Sequence, residues 1–240
     1  MRRILTERNV NRREFIAGAA AVLGVSAPRL NGQGTTKLLV PTDQPDEYGF
    51  RIMWYTPTPP IDARTYRLQV GGLVEKKQSL TVEQLRRYPQ EAQSSRLKCV
   101  QCWSSRTTWG GFRFGELMET VRPLKQAKAI RIDCADKWYE YLSIEEMLSP
   151  RVMLVLDMAA KPLPDRHGAP LRLIAPSKYG YKSAKLITSI EFVEEGKGSM
   201  ACDLGPYYSP HGNIQASYDH PLDLGPKARA KIKAGEITEY

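Results

Sequence analysis

Arg96-Leu97-Lys98-Cys99-Val100-Gln101-Cys102-Trp103-Ser104-Ser105-Arg106-Thr107-Thr108-Trp109-Gly110-Gly111 gathers two cysteines, two tryptophans and a glycine pair into one short stretch near the middle of the chain. Leu97 and Val100 flank Cys99 with strand-like apolar character, and Gly110-Gly111 reads as a backbone break. A strand is therefore predicted over residues 96–100. It delivers Cys99 into a loop, where its sulfur can hold a partner cysteine, a zinc ion, a haem or a metal cofactor. A c-type haem needs His after the Cys-x-x-Cys, and Trp103 stands there. Zinc needs a second ligand pair, but Cys134 and Cys202 stand alone and His167, His211 and His220 lack metal-finger spacing. A thioredoxin-like redox pair wants a βαβ context with a helix opening inside the motif, which the sequence does not show. A structural disulfide and a thiolate ligand to a soft metal remain open.

Working outward, strands and brief helices alternate without a sustained βαβ rhythm. Tyr66 to Val74 alternates around Leu68 and Val70 and is expected to turn at Gly71-Gly72. Thr81-Val-Glu-Gln84 and Ser143-Ile-Glu-Glu146 are capping boxes, each predicting a short helix, ended by Pro89 and Pro150 respectively. Residues 116–121 place Leu117, Met118 and Val121 on one helical face. Further strands are predicted over residues 129–133, 138–142, 152–156, 171–174 and 186–194. The predicted fold class is α+β, with a largely antiparallel β core and short helices. Residues 28–60, rich in Pro, Gly and Asp but broken by Tyr48, Phe50, Trp54 and Tyr55, read as an extended arm. Residues 61–240 read as one domain.

The N-terminus reads as a targeting segment. Arg12-Arg13 precedes Phe15 and a weakly apolar Ala/Gly-rich run, and Val25-Ser26-Ala27 offers small residues for signal cleavage. Residues 1–27 resemble a twin-arginine export signal, a receptor-read address that implies the export machinery as a partner and a periplasmic location. They carry five Arg and two Glu, so without them the formal charge falls from +9 to +6. That mild excess has no long Lys/Arg run, so no nucleic-acid partner is expected, and an anionic cofactor is the more economical use of it. No apolar run approaches the ~18–20 residues that span a bilayer.

Lys98-Cys99-Val100-Gln101-Cys102-Trp103-Ser104, with Trp109-Gly110-Gly111 after it, resembles the molybdenum-ligand segment of the sulfite-oxidase-fold molybdopterin oxidoreductases. The subgroup it resembles is the bacterial periplasmic protein-methionine-sulfoxide reductase catalytic subunit. A second match runs from His167 to Lys185, similar to that family's Gly-x-Pro-x-Arg strand and Tyr-Gly-x-Lys-Ser-x-Lys loop, and a weaker third lies over residues 213–221. The resemblance implies that Cys99 binds molybdenum. It implies that Cys134, His167, Arg172, Lys182, Ser183, Ala184 and Lys185 hold molybdopterin. Charge supports the second point, because Arg172, Lys182 and Lys185 suit the phosphate end of a pterin. Gln101, Trp103 and Trp109 are candidates for lining the pocket, although core packing is an equal reading of both tryptophans. Cys102 becomes a bystander.

Departures bear on function. Gln101 stands where the methionine-sulfoxide reductases carry a proton-relaying Glu, and an amide only hydrogen-bonds. His167 replaces an Asn, and residues 41–55 show no evident counterpart of the relatives' Asn-rich N-terminal contact. Trp103 and Ser104 occupy the stretch where sulfite oxidases hold arginines, which argues against sulfite. The expected activity is oxygen-atom transfer with a small oxo substrate, methionine sulfoxide foremost. Electrons are expected from a separate partner, a haem membrane subunit in the two-component reductases. The alternatives are sulfite oxidation or another molybdenum reaction on this fold, and a non-catalytic exported binding protein held by two disulfides.

Overall fold

The computed structural model describes residues 44–56, 58–99, 104–204 and 208–214. The segment expected to direct export, Gln101, Cys102, Trp103 and residues 215–221 lie outside them. Among the described residues, ten strands form two sheets. β1 (Leu68–Gly72), β2 (Gln78–Leu80), β5 (Ala129–Cys134), β6 (Tyr139–Ser143) and β10 (Ile187–Val193) make one sheet in the order β2-β1-β10-β5-β6. β3 (Glu91–Lys98), β4 (Ser104–Arg113), β7 (Met153–Met158) and β8 (Lys161–Pro162) make the other, and β9 (Arg172–Ile174) pairs with β7. Every pairing is antiparallel except β1 with β10, in keeping with the expected largely antiparallel α+β core.

Among the described residues, four short helices connect the strands: α1 (Val82–Leu85), α2 (Phe114–Val121), α3 (Ile144–Met147) and α4 (Met200–Leu204). The two capping boxes work as their sequences predict. Thr81 Oγ accepts from Gln84 N while the Gln84 side chain accepts from Thr81 N, and Ser143 and Glu146 do the same for α3. Each arrangement satisfies two amide donors that a helix start would otherwise leave bare.

Packing explains why β7 reads as an unbroken apolar run. Its Leu154 and Leu156 enter the main core with Leu68, Val70, Ile130, Ile132, Ile190, Phe192 and the buried face of α2. Its Met153 and Val155 face the other way, into a second cluster with Trp109, Ile174, Leu97 and Phe50. A strand covered on both faces has no polar side to alternate with. Phe50, 2% exposed, comes from the N-terminal arm, so the arm closes the second face.

Of the two glycine pairs, one departs from expectation. Gly110-Gly111 does not break the chain; it lies inside the ten-residue β4, at a register shift against β7. A Cβ on Gly111 would sit 2.0 Å from Leu154 O, so the pair permits a close strand approach. Gly71-Gly72 ends β1 as expected and the chain turns from Gly72, whose φ is +77°, with Val74 N donating to Gly72 O at 3.0 Å before β2 returns antiparallel. β3 and β4 form one long hairpin, and the five residues between Lys98 and Ser104 begin with Cys99.

Candidate functional site

Cys99 follows the last residue of β3, whose Lys98 bridges to Tyr179. It is partly buried and packs with Tyr181 and Tyr208 against the buried pair Tyr179 and Ile214. Tyr179 and Tyr181 stack at 6.3 Å, and Tyr208 meets Tyr181 edge-on at 5.2 Å. Burial and the neighbouring Cys99 sulfur push the Tyr208 hydroxyl's pKa up. A soft sulfur donor thus emerges from a strand end into an aromatic surround.

A second group of side chains surrounds Arg172, earlier in the same segment than Tyr179. Arg172 lies in β9 and is 3% exposed. Its Nη1 donates to His167 O at 2.9 Å, and the guanidinium lies 4.9 Å over the Trp109 ring. Its Nε has no hydrogen-bond partner, and no carboxylate pairs with it among the described residues. Burial pulls its pKa down to about 9, so it remains cationic at neutral pH. Burial, with the Arg172 charge behind it, lowers the Lys185 ammonium to about 7. Burial and Arg172 likewise hold His167 down to about 4, so its imidazole is neutral. A neutral imidazole donates through Nε2 to Asp46 Oδ2 at 2.6 Å. Burial opposes ionisation of Asp46, but the amides of Phe50 and Tyr48 together with His167 outweigh it and hold the carboxyl below its usual range. Desolvated positive charge without a matching anion is costly, and this group is built to receive one.

The N-terminal arm reaches this group directly. Met53 O accepts from the Lys185 ammonium, which lies 4.1 Å over the Trp54 ring. Tyr55 N donates to Asp136 Oδ2, and Thr56 Oγ donates to Asp136 O. Asp46, Trp54 and Asp136 are site neighbours that the sequence reading did not place at the site. The aromatic density of residues 48–55 was the available signal, because a solvated linker has no use for four large rings. Trp109 unites its two readings: wholly buried in the core, it is also the platform beneath Arg172.

Ser183 and Ala184 are buried in the loop before Lys185. Ser183 Oγ accepts from Ala175 N at 3.1 Å, which leaves its proton to donate, and Ala184 O accepts from Leu173 N. Cys134, at the end of β5, is a buried thiol whose pKa is raised by burial and then by Asp136. Lys182 departs from expectation. Its ammonium is saturated by Glu140 Oε1 at 2.5 Å, Tyr141 O at 2.8 Å and Pro210 O at 2.7 Å, so it has no donor left for a phosphate. Cys134 and Cys202 are both free thiols, which removes the two-disulfide arrangement.

The residues present fit molybdopterin. An orphaned buried guanidinium, Lys185 and the Ser183 hydroxyl suit a phosphate end, and the Cys99 sulfur suits a soft metal. Residues 55–201, more than half the chain, match the family described as "Oxidoreductase molybdopterin binding domain". The protein-methionine-sulfoxide reductase catalytic subunit MsrP of Campylobacter jejuni is 30% identical over 67% of this chain and 60% of its own length. The MsrP of Xanthomonas axonopodis pv. citri is 35% identical over 65% of this chain and 54% of its own. The chain thus spans little more than half the length of these relatives. The sulfane dehydrogenase SoxCD of Paracoccus pantotrophus shares the fold, with a TM-score of 0.60 at 17% identity over 72% of this chain and 50% of that one. The chain belongs to the molybdopterin-binding oxidoreductases of the sulfite-oxidase fold.

Proposed function

We propose that this protein is an exported oxidoreductase that transfers an oxygen atom, reducing a sulfoxide such as methionine sulfoxide. The observation that carries the reading is the buried Arg172 guanidinium, which has an orphaned Nε and no carboxylate among the described residues. The relatives' name supplies the sulfoxide. When bound, the cofactor supplies the two-electron redox chemistry of the transfer.

This chain's residues hold and orient. Arg172, Lys185 and Ser183 neutralise and bond the pterin's anionic end, with His167 fixed by Asp46 beside them. Cys99 supplies the sulfur ligand, and the tyrosines around it restrict water at that face. Electrons come from a separate partner protein. Arg12 and Arg13 direct export of the folded chain to the periplasm.

Steady-state assays with methionine sulfoxide and with sulfite separate the proposed reaction from sulfite oxidation. Turnover of the sulfoxide with none of sulfite is expected; the reverse would replace the substrate assignment. Cys99→Ser should abolish turnover, and retention of both molybdenum and activity would remove Cys99 from its role. Changing Arg12 and Arg13 to Lys should leave the protein in the cytoplasm, and continued export would end the periplasmic reading.

A further inference from the structure

Residues 208–214 cross the Cys99 side of the domain as a strap, held on the loop beneath by two buried lysines. Lys178 (3% exposed) donates to Glu146 Oε1 at 2.6 Å, and to His211 O and Asn213 Oδ1 at 2.8 Å each. Lys182 (0% exposed) joins Glu140 Oε1 to Pro210 O. The two ammoniums therefore grip consecutive strap carbonyls, each from a carboxylate base fixed elsewhere. Glu146 is held by the α3 capping box, and Glu140 by Ser199 Oγ at 2.7 Å and by Tyr141 N. Two backbone bonds, Tyr179 N to Gly212 O and Ile214 N to Ser177 O, complete the seam. The strap brings Tyr208 and Ile214 to the cluster that contains Cys99, and Tyr208 O accepts from the Cys202 thiol at 3.4 Å.

We propose that Lys178 and Lys182 are positioning residues that clamp the 208–214 strap over the Cys99 face and so set access to it. Three-donor ammoniums suit this task, since each can hold its base and the strap at once. A buried charge-assisted bond holds a loop more firmly than backbone pairing alone. The inference rests on Cys99 being the reactive centre for its functional meaning. The clamp itself is testable without that assumption, in protein that holds no cofactor.

The experiment measures alkylation of each cysteine by iodoacetamide in the cofactor-free full chain, read residue by residue by peptide mass spectrometry. The variants are Lys178→Met, Asn213→Ala and the paired neutral change Glu140→Gln/Lys182→Met, which leaves no buried charge stranded. In each, Cys99 and Cys202 should label at least fivefold faster, while Cys134, buried away from the strap, keeps its native rate. Unchanged Cys99 labelling would overturn the clamp. Parallel acceleration at Cys134 would also overturn it, by showing general loosening in place of strap release. Faster Cys99 labelling in the variants together with an inactive holoenzyme would uphold the clamp and sink only the catalytic reading.

Discussion

Four buried or half-buried cations lie within residues 172–185, and they divide into two kinds. Lys178 and Lys182 each have a carboxylate partner and two further oxygen acceptors, so their charge is fully answered inside the protein. Arg172 and Lys185 have a carbonyl and an aromatic face apiece, but no carboxylate in an ion pair among the described residues. The first pair serves structure, and the second is the pair proposed to receive the cofactor's anionic end. Residue type does not separate them, and neither does burial; the presence of Glu140 and Glu146 does.

The largest effect expected from breaking this contrast is at Lys182. Lys182→Met strands Glu140 at a wholly buried site and should lower unfolding stability by about 3–5 kcal/mol in urea titrations. The paired Glu140→Gln/Lys182→Met change should return most of that loss. A Lys182→Met protein as stable as native would contradict the structural role.

Lys185 gives a pH-dependent test. With its ammonium pulled down to about 7, an anion that prefers the charged form draws in a proton above that pH. Affinity of the cofactor-free protein for sulfate, whose own charge is constant there, should therefore weaken by up to about tenfold per unit as pH rises above 7. Calorimetric titration at pH 6 and 8 reads the change, and Lys185→Met should flatten it.

A smaller effect is expected at the arm. Asp46→Asn keeps the size of the side chain but replaces an ionised acceptor of His167 and two backbone amides. A loss of about 1 kcal/mol is expected, measured as a lower Tm. The smallest effect falls at Arg172. In cofactor-free protein, Arg172→Met removes a charge with no counter-ion and should leave stability within about 1 kcal/mol of native. The same operation thus costs much at Lys182 and little at Arg172.

Much of the fold was legible where local rules and tertiary packing agree. The capping boxes at Thr81 and Ser143 marked α1 and α3, and the apolar run at residues 152–156 marked a doubly covered strand. Gly110-Gly111 misled because a glycine pair signals a turn locally, whereas here it relieves a clash with the backbone of β7 that only the assembled sheet creates. The cation loop was legible as basic, but not as two populations. Glu140 lies forty-two positions from Lys182 in sequence, and nothing near either residue announces their pairing. The arm was legible as an extended segment but its contacts were not: Asp46, Phe50 and Trp54 bind it to the body through partners more than fifty residues away.

The central claim is that the unanswered charge at Arg172 holds the cofactor's anionic end while the answered charge at Lys182 does not. Molybdenum and pterin, quantified together on full-length protein from a molybdenum-replete host with its export machinery, test it most directly. About one of each per chain is expected in the native protein and in Glu140→Gln/Lys182→Met, with a loss of tenfold or more in Arg172→Met. Full occupancy in Arg172→Met alongside loss in the paired variant would contradict the account.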